Sequence, residues 1–251
     1  VVASGRARWA AAAVVVLLAC GLISPGSAAP GTRPRTALPA GAASAACPGE
    51  PLVSAVFQVD TVARVAALGS ELSTGPGRMI ACNYGDGPEE RPLRIDGELS
   101  LPTSDGYFIL FRFMPTTSAV SLVSVDRVTG DGEIALGPEP PEEPVEGVLY
   151  FDIKVTVRLT IALADVRADG VPVRVGDRCA TKAPTDLVLS GIIAIPLDEQ
   201  PGVKSKLRET AFTIPPFAGC GVTEDMDPLL TGTVSGPDNK VKTTLTYLGP
   251  P

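Results

Sequence analysis

Residues 149–163 read LYFDIKVTVRLTIAL, and this stretch decides the fold class. Every odd-numbered position is apolar, from Leu149 and Phe151 through Val155 and Leu159 to Leu163. The even positions carry Tyr150, Asp152, Lys154, Thr156, Arg158 and Thr160. A strand sends successive side chains to opposite faces, so this alternation builds one face for a core and one for water. A helix would scatter the same apolar residues around its circumference. At ~3.3 Å per residue the run spans about 50 Å, long for one flat strand. A bend is expected near Ala162 and Ala164, letting the run serve two sheets or two parts of a barrel.

Working outward, Ala168-Asp169-Gly170 reads as a turn, and Val171, Val173 and Val175 resume the alternation as a return arm. Pro172 has no N–H to give a ladder, which suits an edge. Shorter strands are expected over 53–59, 79–83, 93–101, 107–113, 119–125, 187–195, 231–235 and 241–247. Residues 62–72 admit a short helix, but the β-branched Thr61, Val62 and Val65 favour strand there too. Turn signals fall at Gly85-Asp86-Gly87, Gly130-Asp131-Gly132 and Gly236-Pro237-Asp238-Asn239. About ten short strands punctuated by Gly and Pro predict an all-β protein, an antiparallel sandwich or barrel.

The flanks have other compositions. Residues 1–28 have the three parts of a secretory signal peptide: Arg6 and Arg8, an apolar run over 9–23, and a small-residue end at Gly26 and Ala28. Cleavage between Ala28 and Ala29 is expected. The run is shorter than the ~18–20 apolar residues of a membrane span, so no span is expected. Leu17-Leu18-Ala19-Cys20 resembles a bacterial lipobox, which keeps a lipid anchor at Cys20 open as the alternative to free secretion. Residues 29–46, rich in Pro, Ala, Gly and Thr, read as a flexible linker. A single β domain is expected over 47–251, interrupted at 137–147 (GPEPPEEPVEG) by an exposed acidic, Pro-rich loop.

Beyond Cys20, the cysteines are Cys47, Cys82, Cys179 and Cys220. An even set in an exported chain reads as a disulfide framework with three possible connectivities. Metal-binding Cys occur in close pairs, and the nearest two here are 35 residues apart. Nearest-neighbour pairing, Cys47–Cys82 and Cys179–Cys220, keeps each bridge within one group of strands and is the expected arrangement.

The chain holds 21 Lys+Arg against 28 Asp+Glu, a net charge of −7. Loss of Arg6 and Arg8 would leave 19 against 28, about −9. That field repels nucleic acid, which is excluded as a partner. There is no histidine, which removes Ser-His-Asp and Cys-His catalysis and His-ligated metals. No S-x-x-K, G-x-S-x-G or P-loop pattern occurs, and no cofactor is expected. Paired carboxylates remain as a catalytic route. Asp86, Glu89 and Glu90 form one acidic cluster and Glu224, Asp225 and Asp227 another, read as solvated turns rather than calcium or acid–base sites. Trp9 is the only tryptophan, and loss of the leader would leave Tyr84, Tyr107, Tyr150 and Tyr247, a poor platform for sugar stacking. These tyrosines are expected to pack at sheet edges.

The second half carries Gly170-Val171-Pro172-Val173 followed by Val175-Gly176, Cys179 and Pro184. Further on stand Thr213-Ile214-Pro215-Pro216-Phe217 before Cys220-Gly221, and Ser235-Gly236-Pro237 with Asn239. With Leu99-Ser100-Leu101-Pro102, these features resemble a group of uncharacterised exported proteins of actinomycete type over about residues 93–247. The resemblance implies a shared β-fold and an extracytoplasmic place, and assigns no activity. The expected function is a non-catalytic binding or structural module of the envelope or medium. The alternatives are a carrier of an apolar ligand and a carboxylate hydrolase. A closed barrel with an empty apolar lumen would point to the carrier.

Overall fold

The computed structural model describes residues 47–85, 92–135 and 145–251. Among them, fourteen strands join one antiparallel sheet, with a single eight-residue helix. The expectations for residues 1–46, including cleavage at Ala28/Ala29, lipidation at Cys20 and the linker, lie outside the described residues. So do Asp86, Gly87, Glu89 and Glu90, and most of the acidic loop.

The deciding stretch is strand β7 (Val148–Ala168). Phe151, Ile153, Val155, Val157, Leu159, Ile161 and Leu163 are buried, and the residues between them face outward. The phase breaks at Asp165, whose φ is 49°. Beyond it the buried residue is the even-numbered Val166, and the register against the neighbouring strand shifts at the same place. The bend thus comes one residue past Ala164. Along one edge, residues 151–156 of β7 pair with β6 (Val128–Ile134), and residues 159–168 pair with β5 (Met114–Ser124). Along the other edge β7 meets β10 (Thr185–Pro196), then β9 (Ala180–Thr181) and the short β8 (Val171–Pro172). One strand therefore serves two parts of the sheet.

The main wall runs in the order β14 (Gly236–Gly249), β1 (Val53–Val65), β2 (Ser70–Tyr84), β3 (Leu93–Ser100), β6, β7, β10. Residues 204–214, holding β11 (Lys204–Lys206) and β12 (Thr210–Ile214), pair with β14 on one side. On the other side they bond to β10. Arg208 N donates to Ser190 O at 2.8 Å, Ala194 N to Ser205 Oγ at 2.9 Å, and Thr210 Oγ1 to Val188 O at 2.8 Å. This irregular strand closes the sheet on itself, and of the two architectures expected the barrel is the one formed. Closure leaves no free edge along that part of the wall. Hairpin β4 (Ser104–Leu110)–β5 branches from the second half of β7.

Two clusters fill the interior. One is centred on Phe57, Phe151, Val155, Leu245 and Tyr247, with the rings of Phe57 and Tyr247 edge-to-face at 5.9 Å. The other joins Ile161 and Leu163 to the Cys179–Cys220 disulfide, to Phe217 of β13 (Phe217–Ala218), and to Leu230 and Val234 of helix α1 (Asp227–Val234).

Several local expectations are corrected. Residues 231–235 lie in and just after α1, not in a strand. Pro228 at the start of that helix and the i, i+4 pair Leu230/Val234 set its period, which five residues are too few to reveal. Gly130-Asp131-Gly132 is not a turn but part of β6. A Cβ on Gly130 would lie 2.2 Å from Lys154 O, so the glycine marks close approach of two backbones. Gly236-Pro237-Asp238-Asn239 opens β14 instead of breaking the chain. The strand expected over 107–113 ends at Leu110, and the chain reverses at 111–113. The return arm stops at Pro172, although Val173 N still donates to Val166 O. Residues 62–72 hold the end of β1, a turn and the start of β2.

Candidate functional site: an apolar cavity in the barrel

Between the two interior clusters lies a cavity of about 110 Å³. Its walls come from inward positions of the barrel strands, among them Val59, Leu159, Leu187, Phe212 and Val241, and its upper part from Val120, Ile161 and Phe217. The alternation that makes a half-buried strand makes this lining: side chains that point inward along β1, β7 and β14 converge on it. Glu71 is the one charged residue in the lining. Among the lining hydroxyls, Thr61 is bonded to Thr74, and Thr185 donates to Thr213 O at 3.0 Å. Thr243 differs. It is buried, and its Oγ1 has no hydrogen-bond partner among the described residues. Walls this apolar hold water poorly, because a water molecule needs two to four polar partners.

The wall is incomplete at one place. β3 pairs with residues 78–84 of β2, so the first half of β2 is bonded to β1 alone. β4 is bonded to β5 alone. The free edges of β2 and β4 lie alongside each other without a ladder between them. The cavity reaches both edges, at Ser70, Glu71 and Leu72 on one and Gly106, Tyr107 and Phe108 on the other. This seam is the natural mouth of the cavity.

The cysteines pair as expected. Cys47–Cys82 ties the start of the described chain to β2, with Cα atoms 5.6 Å apart. Cys179–Cys220 joins the ends of two segments at 4.2 Å and braces the cluster that roofs the cavity. Asp227 supports the same place. Its carboxylate accepts from Cys220 N at 2.6 Å and Gly219 N at 3.1 Å, while Asp225 accepts from Asp227 N at 3.0 Å. Asp225 and Asp227 thus form a structural knot around a turn, with Glu224 exposed beside it. Among the described residues no group of three or more Cys, Asp or Glu is arranged to hold a metal ion.

The tyrosines divide. Tyr84 donates to Pro48 O at 2.8 Å and lies under the Arg94 guanidinium, Tyr150 accepts from Val145 N, and Tyr107 is exposed on β4. Tyr247 is not at an edge but in the core. Burial holds its phenol above its ordinary pKa, and the carboxylates of Glu199 and Asp198 add to the effect. Ion pairs lie on the outer face, including Arg158 with Asp126 and Asp186, and Glu209 with Lys240 and Lys242. The lysines hold Glu209 below the usual carboxylate range. None of these charges enters the cavity.

Two inward polar residues escaped the sequence reading. Asn239 is buried, accepts from Ala66 N at 2.9 Å, and donates to Gly236 O and Phe212 O. Thr243 takes an inward position between Val241 and Leu245. A polar residue on the core side of an alternating strand was the signal available for both. No known protein family, curated protein or solved structure matches the chain.

Proposed function

We propose that the β domain is a non-catalytic binding module that carries an apolar ligand in the barrel cavity, outside the cytoplasm. The observation that carries this reading is the almost wholly apolar space between two packed clusters, open at one seam. Natural cores close such spaces, because empty volume costs stability. Its size is comparable to an engineered cavity of about 150 Å³ that takes up benzene, so the guest is a small ring or the end of an alkyl chain. The unpartnered Thr243 hydroxyl offers one polar handle, which fits an alcohol or ketone better than a pure hydrocarbon. A carboxylate hydrolase is disfavoured here, since Glu71 stands alone in the lining. Two disulfides are consistent with an oxidising compartment, and export through cleavage at Ala28/Ala29 is part of the proposal. A secreted product whose N-terminus is not Ala29 would remove that part.

The test is titration with N-phenyl-1-naphthylamine, a neutral dye that fluoresces in apolar sites. Only its phenyl ring is of the size the cavity takes, and the naphthyl group lies outward in the seam. Ala63 lines the cavity, and Ala63→Leu adds three carbons to a space of that order. Saturable binding by the wild type, lost in Ala63→Leu with folding intact, is the expected result. Equal binding by both would place the dye elsewhere and refute the reading. Thr243→Val should weaken binding of an aromatic alcohol by about fivefold, the worth of one hydrogen bond, and leave the parent hydrocarbon unaffected.

A further inference from the structure

Residues 107–114 read YFILFRFM, and the structure places this segment at an end of the molecule. β4 turns Tyr107 and Ile109 outward, at 60% and 42% exposure, and the reversal that follows leaves Phe111 and Phe113 exposed at 54% and 76%, so the four together form one exposed stripe. From Tyr107 to Leu110 the strand covers about 10 Å, and the reversal follows directly. The lower end of the stripe is the seam of the cavity, where Tyr107 is part of the lining. Its upper end is the hairpin tip.

The tip is built against ordinary turn chemistry. Phe113 N donates to Leu110 O at 3.1 Å and closes the reversal. Phe111 and Arg112 both hold left-handed φ, 53° and 68°. Such positions in hairpins favour Asn, Asp and Gly, because other side chains crowd the backbone there. A phenylalanine and an arginine in both places, with the rings of Phe111 and Phe113 only 6.4 Å apart in water, are not explained by folding. Strained residues maintained at an exposed site point to a use.

We propose that the β4–β5 hairpin docks the barrel onto a lipid bilayer. Phe111 and Phe113 enter the acyl-chain boundary, and Arg112 reaches back to the headgroup phosphates. The apolar ligand then passes between bilayer and cavity along β4. This rests on the reading of the cavity as a ligand site. Three observations favour a bilayer over a second copy of the chain. The tip is a narrow convex wedge, and its four side chains expose on the order of 450 Å², against about 800 Å² per partner in a stable dimer. Arg112 is the one charged residue of the segment and has no salt-bridge partner among the described residues, which suits a snorkelling cation facing phosphate. The stripe is also continuous with the seam, so a lipid-soluble guest need not cross water. Because the chain carries −7, the expected surface is zwitterionic and the attachment apolar in origin.

The apolar run at 9–23 could itself bring the full chain to lipid, so the readout must be local. In full-length chain carrying Trp9→Phe, a single tryptophan is introduced as Phe113→Trp or, at the opposite end of β7, as Leu197→Trp. Vesicles of phosphatidylcholine, with and without brominated acyl chains, are then added. The account expects a blue shift of the emission and quenching by brominated lipid for Phe113→Trp alone, with Leu197→Trp unchanged in both. Unchanged emission at position 113, equal quenching at both positions, or a shift that grows with protein concentration without vesicles would overturn docking. Dye binding that persists alongside such a failure would leave the cavity reading standing.

Discussion

Val155 and Thr156 are neighbours in sequence and opposites in environment. Val155 is 2% exposed and packs in the main cluster, while Thr156 lies on the outer face between Thr129 and Val188. Lysine at Val155 must bury an unpaired ammonium, and should cost about 4 kcal/mol or more in urea denaturation. Lysine at Thr156 can extend into water and should cost under about 1 kcal/mol. Similar losses at the two positions would mean that the faces of β7 are misassigned. Burial of single residues was legible because alternation was strict. It ceased to be legible at Asp165, where a left-handed residue shifts the phase: the alanines at 162 and 164 mark a bend nearby but not the change of buried face.

Strands were easier to find than their ends. Long runs such as β7, β10 and β14 follow largely from apolar residues at every second place, a local property. The same glycines that end strands elsewhere lie inside β6, because their task there is to let β6 approach β7. Gly130→Ala would bring a Cβ to 2.2 Å from Lys154 O and 2.6 Å from Val155 Cα, both backbone atoms. Neither can rotate away, so the loss should be about 2 kcal/mol or more. Thermal denaturation of Gly130→Ala beside Gly232→Ala checks this. Gly232 is in α1 with open space around it, and alanine there should be neutral to slightly stabilising. The helix itself was hidden, since eight residues after a disulfide knot carry too little period to outweigh a Thr-Val alternation.

At the scale of the molecule, closure and cavity depend on contacts no local pattern contains. The sequence reading predicts an all-β chain with two local disulfides and leaves sandwich and barrel open. The deciding segment, residues 204–214, alternates poorly and forms its bonds to β10 partly through side-chain hydroxyls. The cavity was invisible for a different reason. Its lining residues are the types that fill a core, and only their arrangement leaves a void. The Cys179–Cys220 bridge closes a 41-residue separation, worth about 4 kcal/mol in the chain-entropy estimate. The Cys179→Ala/Cys220→Ala double variant should lose stability of that order and bind the naphthylamine dye more weakly, because the roof cluster loosens. Unchanged dye affinity in a destabilised variant would separate the roof from the site.

Xenon pressurised into crystals of the protein tests the central claim most directly, because xenon enters apolar cavities and carries no chemistry of its own. The account predicts one xenon peak inside the barrel, bounded by Leu159, Phe212 and Val241 and absent from Ala63→Leu crystals. A cavity that takes no xenon, or that holds ordered water at the same place, would contradict it.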